Sequence, residues 1–230
     1  LSKTGQCSQA IRLDPFDPQR LRLPDERIGR AGPPRHAEGE PFLRGPIPYG
    51  WVACAAMLPG PGFSLAMLCR FLRDRFPARP KRFTMAEYAA GVGASVWTVR
   101  RSFREAERAG LILVDQKSGR KPTVAIIDPT EAETDSGRPP LYGPVPWSWW
   151  YRTLRLPGKA PQVAGVCWTL AGWERSGSVE LVLGDWSEWG LSRYAASRGL
   201  DALERAELVE VRKKIGCASQ ITLLGESGGR

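Results

Sequence analysis

Arg100, Arg101, Arg104 and Arg108 fall in one stretch, Val96-Trp-Thr-Val-Arg-Arg-Ser-Phe-Arg-Glu-Ala-Glu-Arg108, in which Val99, Phe103 and Ala106 recur at spacings of four and three. On a helix those three apolar residues share a face that can be buried, which leaves most of the guanidiniums outside it. A guanidinium offers a planar fork of donors that matches phosphate oxygens and the major-groove edge of guanine, so the chemistry in view is recognition of a polyanion. Ser95 stands just before the pattern, where its oxygen can accept from the free N–H groups of a first turn, and Gly110 suits a helix stop. Such a helix would present Val96, Trp97, Arg100 and Arg101 to a groove, with Arg104 one turn behind. Four arginines on a helix also fit a plain solvated face. The glycine-containing turn before the helix and the basic hairpin residues Lys117, Arg120 and Lys121 after it favour DNA.

The segments around this stretch must hold it in place. A short helix is expected over residues 85–91, the long helix over 96–109, and two apolar β-rich runs on either side of the charged Ser118-Gly119 turn. Upstream, Leu65, Leu68, Cys69 and Leu72 predict an apolar helix over residues 63–76, preceded by a short leading helix or extended arm over 47–58. Phe83 or Thr84 could add a short strand.

The same text then returns. At an offset of 98, residues 45–72 and 143–170 share ten identities, among them Gly45, Pro46, Pro48, Trp51, Leu58, Pro59, Gly60 and Cys69. Farther on, at an offset of 97, Gly93, Ser95, Arg101, Glu107, Arg108, Ala109, Leu111 and Val114 match Gly190, Ser192, Arg198, Glu204, Arg205, Ala206, Leu208 and Val211. The chain therefore reads as a tandem duplication. In the second copy the long helix is expected over residues 193–206, a preceding helix over 184–189, an apolar helix over 161–173, a strand over 179–182 and a hairpin from strands 208–212 and 220–224. Ser192, Arg193, Tyr194, Ser197 and Arg198 then take the groove-facing positions, and Arg212, Lys213 and Lys214 the hairpin positions. Glu207 stands where the first copy has Gly110, which puts the second helix stop at odds with the first.

The phrase Gly190-Leu-Ser-Arg-Tyr-Ala-Ala-Ser-Arg-Gly-Leu-Asp-Ala-Leu-Glu-Arg-Ala-Glu-Leu-Val209, followed by a basic hairpin ending Gln-Ile-Thr-Leu-Leu224, resembles the helix-turn-helix, recognition helix and wing of bacterial winged-helix DNA-binding proteins. Ala106-Glu-Arg-Ala-Gly-Leu-Ile112 resembles the same part of the first copy. The resemblance implies a mostly α protein with small β-hairpins (α+β), built of two winged-helix domains at residues 45–128 and 143–226. It places the recognition role on residues 95–108 and 192–205. The layout is similar to that of mobile-element regulators and plasmid replication initiators. Three functions follow: a sequence-specific transcriptional regulator on double-stranded DNA, a replication initiator, or a winged-helix subunit that holds protein in a chromosome-organising complex.

The rest of the sequence narrows the field. The net charge is +9 and the pI about 9.7, which favours a polyanionic partner. Residues 45–128 carry 13 basic and 6 acidic side chains, net +7, and residues 143–230 carry 11 and 9, net +2, so the first copy should hold DNA harder. Residues 1–44, with six prolines and no sustained period, read as an extended or disordered tail, 129–142 as an acidic linker and 227–230 as a flexible end. No run of 18 apolar residues and no charged-then-apolar leader is present, which predicts a cytoplasmic, nucleoid-associated protein with no membrane partner. Five cysteines without a C-x-x-C pair, and one histidine, His36, predict no metal, and Cys69 and Cys167 are expected in the core. No phosphate loop or catalytic constellation is recognisable, so neither an enzyme nor a cofactor or small-molecule ligand is expected; a homodimer is compatible. The tryptophans of the second copy are expected mainly in its core. The two copies need not be related by a two-fold axis, which would make a monomer's DNA site direct rather than palindromic.

Overall fold

In the computed structural model residues 32–77, 82–117, 119–128, 138–184, 186–213 and 218–225 are described. Lys214, residues 227–230, most of the tail and most of the linker lie outside them. The first half runs β1 (Phe42–Leu43), α1 (Tyr49–Met57), α2 (Gly62–Arg75), α3 (Met85–Val92), α4 (Val96–Arg108), β2 (Ile112–Asp115) and β3 (Thr123–Ile126). The second runs β4 (Val145–Pro146), α5 (Trp147–Leu154), α6 (Ala160–Glu174), β5 (Ser178–Leu181), a 3₁₀ turn (Ser187–Trp189), α7 (Arg193–Arg205), β6 (Val209–Arg212) and β7 (Ser219–Leu223). The class is α+β, with seven α-helices and small antiparallel sheets among the described residues.

The sequence explains which helices are central. Phe63 to Phe71 of α2 are all buried, and so is every residue of α6 from Ala160 to Ala171; helices apolar on all sides must be covered on all sides. Cys69 and Cys167 lie in these two helices, and burial raises both thiol pKa values, that of Cys167 to about 12. Trp149, Trp150, Trp168 and Trp189 are buried as well, while Trp147, Trp173 and Trp186 pack against the core from its edge. Helices α4 and α7 are amphipathic, burying Val99, Ser102, Phe103 and Ala106 in one case and Ala196, Gly199, Leu200, Ala202 and Leu203 in the other.

Two local expectations are corrected. Phe83 and Thr84 form no strand; Thr84 is the N-cap of α3, its hydroxyl accepting from the Glu87 N–H at 3.1 Å while Glu87 accepts from the Thr84 N–H. The Thr-x-x-Glu spelling of that capping box takes precedence over the β-propensity of the pair. The helix expected over residues 184–189 is one 3₁₀ turn, closed by Gly190 at φ 63°. It is held by the Trp189 and Gly190 N–H groups donating to Trp186 and Ser187 carbonyls.

Both halves exchange their leading arms. Strand β1 pairs antiparallel with β4, Leu43 opposite Val145, and Ile47 bridges Leu141 antiparallel, with N–H donation in both directions at 2.9 and 3.0 Å. Adding 98 to Leu43 gives Leu141, and subtracting 98 from Val145 gives Ile47, so the two pairings are the same contact made twice with the halves interchanged. That reciprocity is the mark of a two-fold axis. Gly45 and Gly143 sit on it back to back: a Cβ on either would fall 2.2–2.5 Å from the other's backbone nitrogen. The sequence alone does not require a two-fold axis between the halves; the arms are nevertheless paired about one. The arms also draw Phe42 and Leu43, read as tail, and Leu141, read as linker, into the fold; Leu43 and Leu141 are buried.

Side chains reinforce the exchange. Glu40 accepts from the Ser148 N–H at 3.2 Å and from its hydroxyl, capping α5, whose own N-cap Pro146 has no side chain to offer. Lys159, the N-cap of α6, and Gln162 within it donate to the Ala56 carbonyl near the end of α1, and Trp189 Nε1 donates to the Tyr49 hydroxyl at 3.0 Å. Tyr49 in turn donates to Glu188, which also pairs with Arg138. Phe71 and Trp147 stack with ring centroids 3.4 Å apart, and Phe63 meets Trp150 edge-on and Trp189 at a tilt, so one apolar core runs through both halves.

Glu207 adopts φ 55°, as the equivalent Gly110 does at φ 70°. The left-handed conformation costs a side-chain-bearing residue roughly 1 kcal/mol, and a carboxylate beside a helix C-terminus adds an unfavourable charge. Glu207→Gly is expected to raise stability by about 1 kcal/mol and the melting temperature by roughly 2–4 °C in a thermal melt. An unchanged or lower melting point would show that the conformation carries no such cost.

Candidate nucleic-acid interface

The Ser95 hydroxyl accepts from the Thr98 N–H at 3.1 Å, and Ser192 accepts from Ala195 at 3.2 Å, so each serine starts its helix as its N-cap. Gly93 and Gly190, both in the left-handed region, turn the preceding segment into each cap. The exit is buttressed from the leading helices. The Cys54 thiol reaches the Ala109 carbonyl at 3.8 Å, and at the equivalent place Arg152 donates to the Ala206 carbonyl, a cation well placed at a helix C-terminus. Trp149 Nε1 donates to the Leu208 carbonyl at 3.2 Å.

With the apolar face buried, Arg100, Arg101 and Arg104 of α4 are left exposed. None of the three has an ion-pair partner among the described residues; Arg104 reaches only the Arg100 carbonyl, at 3.5 Å. Arg108, by contrast, pairs with Glu105 at 3.0 Å. Val96 is exposed, and Trp97 stands 68% exposed in the first turn. In α7 the residue at the same place is Tyr194, 72% exposed, with the Arg198 guanidinium 5.6 Å from its ring centre. Large aromatics are costly to leave in water, and these two are among the most exposed large apolar side chains described. Arg193 is exposed beside Tyr194, while Ser197 is only half-buried on the same helix.

The hairpins are tied to their helices by one repeated device. Glu107 accepts from the Val114 N–H at 2.8 Å, and Glu204 from the Val211 N–H at 3.3 Å. Each carboxylate spans from the helix to the first hairpin strand, so hairpin and helix keep one orientation. In the first half β2 and β3 pair with Ile112 opposite Ile126 and Asp115 opposite Thr123, and Lys117, Arg120 and Lys121 lie in the turn that joins them. Together with Arg82, Asp115 and Thr123 they line a shallow polar concavity. Lys121 also meets Glu87 at 3.5 Å; the Thr84 N–H, and Lys121 after it, hold that carboxyl below its usual range. In the second half the sheet order is β5-β7-β6. There Lys213 is paired with Asp201 at 2.9 Å and Arg212 with Glu210 at 3.0 Å. Among the described residues the second hairpin therefore presents less free positive charge than the first.

No protein-family model, curated protein or solved structure matches this chain.

Arg82 escapes a reading of the sequence because it lies before α3, outside both the long helix and the hairpin. Only the fold brings it beside Lys117 and Arg120, where Lys121 of the turn meets Glu87 of α3. The arms escape it for a different reason: Pro41-Phe-Leu-Arg-Gly-Pro46 and Pro139-Pro-Leu-Tyr-Gly-Pro144 share Pro, Leu, Gly and Pro at an offset of 98, but their prolines read as tail and linker. Among the described residues no group of three or more His, Cys, Asp or Glu could hold a metal ion, and no helix is long and apolar enough to cross a membrane.

Proposed function

We propose that this chain binds double-stranded DNA through two winged-helix modules that arose by internal duplication, and that it acts as a sequence-specific transcriptional regulator. Support for the fold comes from the order helix, strand, helical turn, helix, two-stranded hairpin in the second half, with sheet order β5-β7-β6, as in a winged helix; the first half has the same helices and hairpin without the leading strand among the described residues. Matching caps, turns and helix-to-hairpin carboxylates at offsets of 97 support the duplication. The observation that carries the function is α4. Three exposed guanidiniums without ion-pair partners among the described residues, and an exposed Trp97, project from a helix whose cap, exit and hairpin are all fixed. Phosphates would satisfy such guanidiniums, and base edges would give them sequence preference.

If each module contacts about three to five phosphates, affinity for duplex DNA should fall by roughly three orders of magnitude or more between about 50 and 200 mM salt. Fluorescence anisotropy on a labelled duplex measures this directly. Absence of duplex binding at low salt would overturn the reading. Selection of bound fragments from genomic DNA then separates promoter sites, which mean regulation, from clustered repeats beside an origin, which mean initiation.

A further inference from the structure

Resting on the reading of the chain as a duplex binder, we propose that one chain recognises an imperfect inverted repeat, with α4 in one half-site and α7 in the other at a fixed spacing. The argument begins at the exchanged arms. Leu43 opposite Val145 and Leu141 opposite Ile47 are one contact repeated under interchange of the halves, and Gly45 and Gly143 meet back to back where the axis passes. A two-fold rotation leaves height along its axis unchanged. The same interchange holds at the turns that lead into the two helices, where Gly93 lies against Arg155 and Gly190 against Met57, so whichever end of the axis the first turn of α4 approaches, the first turn of α7 approaches the same end. A duplex laid across that end has dyads of its own, at and between its base pairs, and the arrangement that satisfies both helices equally aligns a DNA dyad with the protein's. The two strands are then read in opposite senses, which makes the half-sites inverted.

Fixed spacing follows from the core. Phe63, Trp150 and Trp189 pack across the boundary, Phe71 stacks on Trp147, and Lys159 and Gln162 hold the Ala56 carbonyl. Relative motion of the halves would have to break these contacts, so they cannot slide to follow a longer spacer as modules on a free tether would. Imperfection follows from the helix sequences. The first turn of α4 carries Val96 and Trp97 followed by Arg100 and Arg101, whereas that of α7 carries Arg193 and Tyr194 followed by Ser197 and Arg198. Trp97 and Tyr194 occupy the same place on the two helices and differ in size and in hydrogen-bonding capacity, so related but unequal base steps would suit them.

The test uses the full chain and a random-sequence duplex library. Selected duplexes should contain two related half-sites in inverted orientation, and native mass spectrometry should find one chain per duplex. Reversing one half-site to make a direct repeat should weaken binding at least about tenfold, and inserting about 5 base pairs between the half-sites, which turns one to the opposite face, should do the same. Trp97→Ala should relax base preference in one half-site only and Tyr194→Ala in the other. Duplex binding to direct repeats, indifference to reversal or insertion, or an inverted repeat that needs two chains would each overturn the inference while leaving duplex binding intact. Failure to bind any duplex at low salt would overturn both.

Discussion

Replacing Arg100, Arg101 and Arg104 together with Ala is expected to weaken duplex binding by about a hundredfold or more. Each arginine that reads a base is worth about 1–3 kcal/mol, and each phosphate left unengaged also lowers the salt slope by about one. All three side chains are exposed without ion-pair partners among the described residues, so their removal leaves no folded-state bond unsatisfied beyond that from Arg104 to the Arg100 carbonyl. The double replacement of Arg193 and Arg198 should cost clearly less. The second hairpin has Lys213 engaged by Asp201 and Arg212 by Glu210, and α7 itself carries Asp201 and Glu204 towards its far end. Anisotropy titrations of the two variants at one salt concentration, with a thermal melt to show that both fold, measure the ratio. Equal losses would show that the charge asymmetry does not report affinity, and loss only from α7 would assign the basic face of α4 to another acidic partner.

The largest effect on stability is expected at the axis. A methyl group at Gly45 would stand 2.2 Å from the Gly143 nitrogen and 2.8 Å from the Leu141 carbonyl oxygen, both backbone atoms that no rotamer change can move. Gly45→Ala should cost roughly 2–4 kcal/mol, seen as a melting temperature lower by roughly 5–15 °C. Gly184→Ala, where a Cβ would meet nothing within 4 Å, is the control and should melt close to the parent. A Gly45→Ala protein that melts with the control would mean that the two glycines do not approach as described.

Much of the local structure was legible in the sequence because local chemistry determines it. The spacing of Val99, Phe103 and Ala106, with Ser95 before and Gly110 after, marks out α4 to within one residue of Val96–Arg108. Ser192 and the matching spacing of Ala196, Leu200 and Leu203 mark the start and face of α7, whose stop has Glu207 in place of a glycine, and Leu65, Leu68 and Cys69 identify the buried helix α2. Elsewhere the sequence was legible but misread: Thr84 and Glu87 spell a capping box, yet the aromatic and β-branched pair Phe83-Thr84 suggested a strand. The arrangement of the halves was hidden for a physical reason. Pairing between residues about a hundred positions apart leaves no periodicity in either segment, and proline, which signals the absence of regular structure when a segment is viewed alone, sits comfortably at the ends of short edge strands. Of the interface, the basic side chains were readable as types, but not which of them were already neutralised. That Lys213 is paired and Arg100 is not depends on where Asp201 comes to lie.

The exchanged arms also bear on how the protein responds to its own abundance. In an assembly of separate chains, two-fold symmetry is an equilibrium: on dilution below the dissociation constant the partners part, and occupancy of a two-part target then falls with the square of concentration. Here Leu43 meets Val145 and Leu141 meets Ile47 within a single polypeptide, so the symmetric pair survives at any dilution at which the chain stays folded. A target that engages both halves would fill in simple proportion to the number of chains, without a threshold, and the first few copies made in a cell would already be competent. Neither half is then obliged to remain a self-complementary partner, which leaves room for Glu40 on one arm and Arg138 at the equivalent place on the other to serve opposite electrostatic ends.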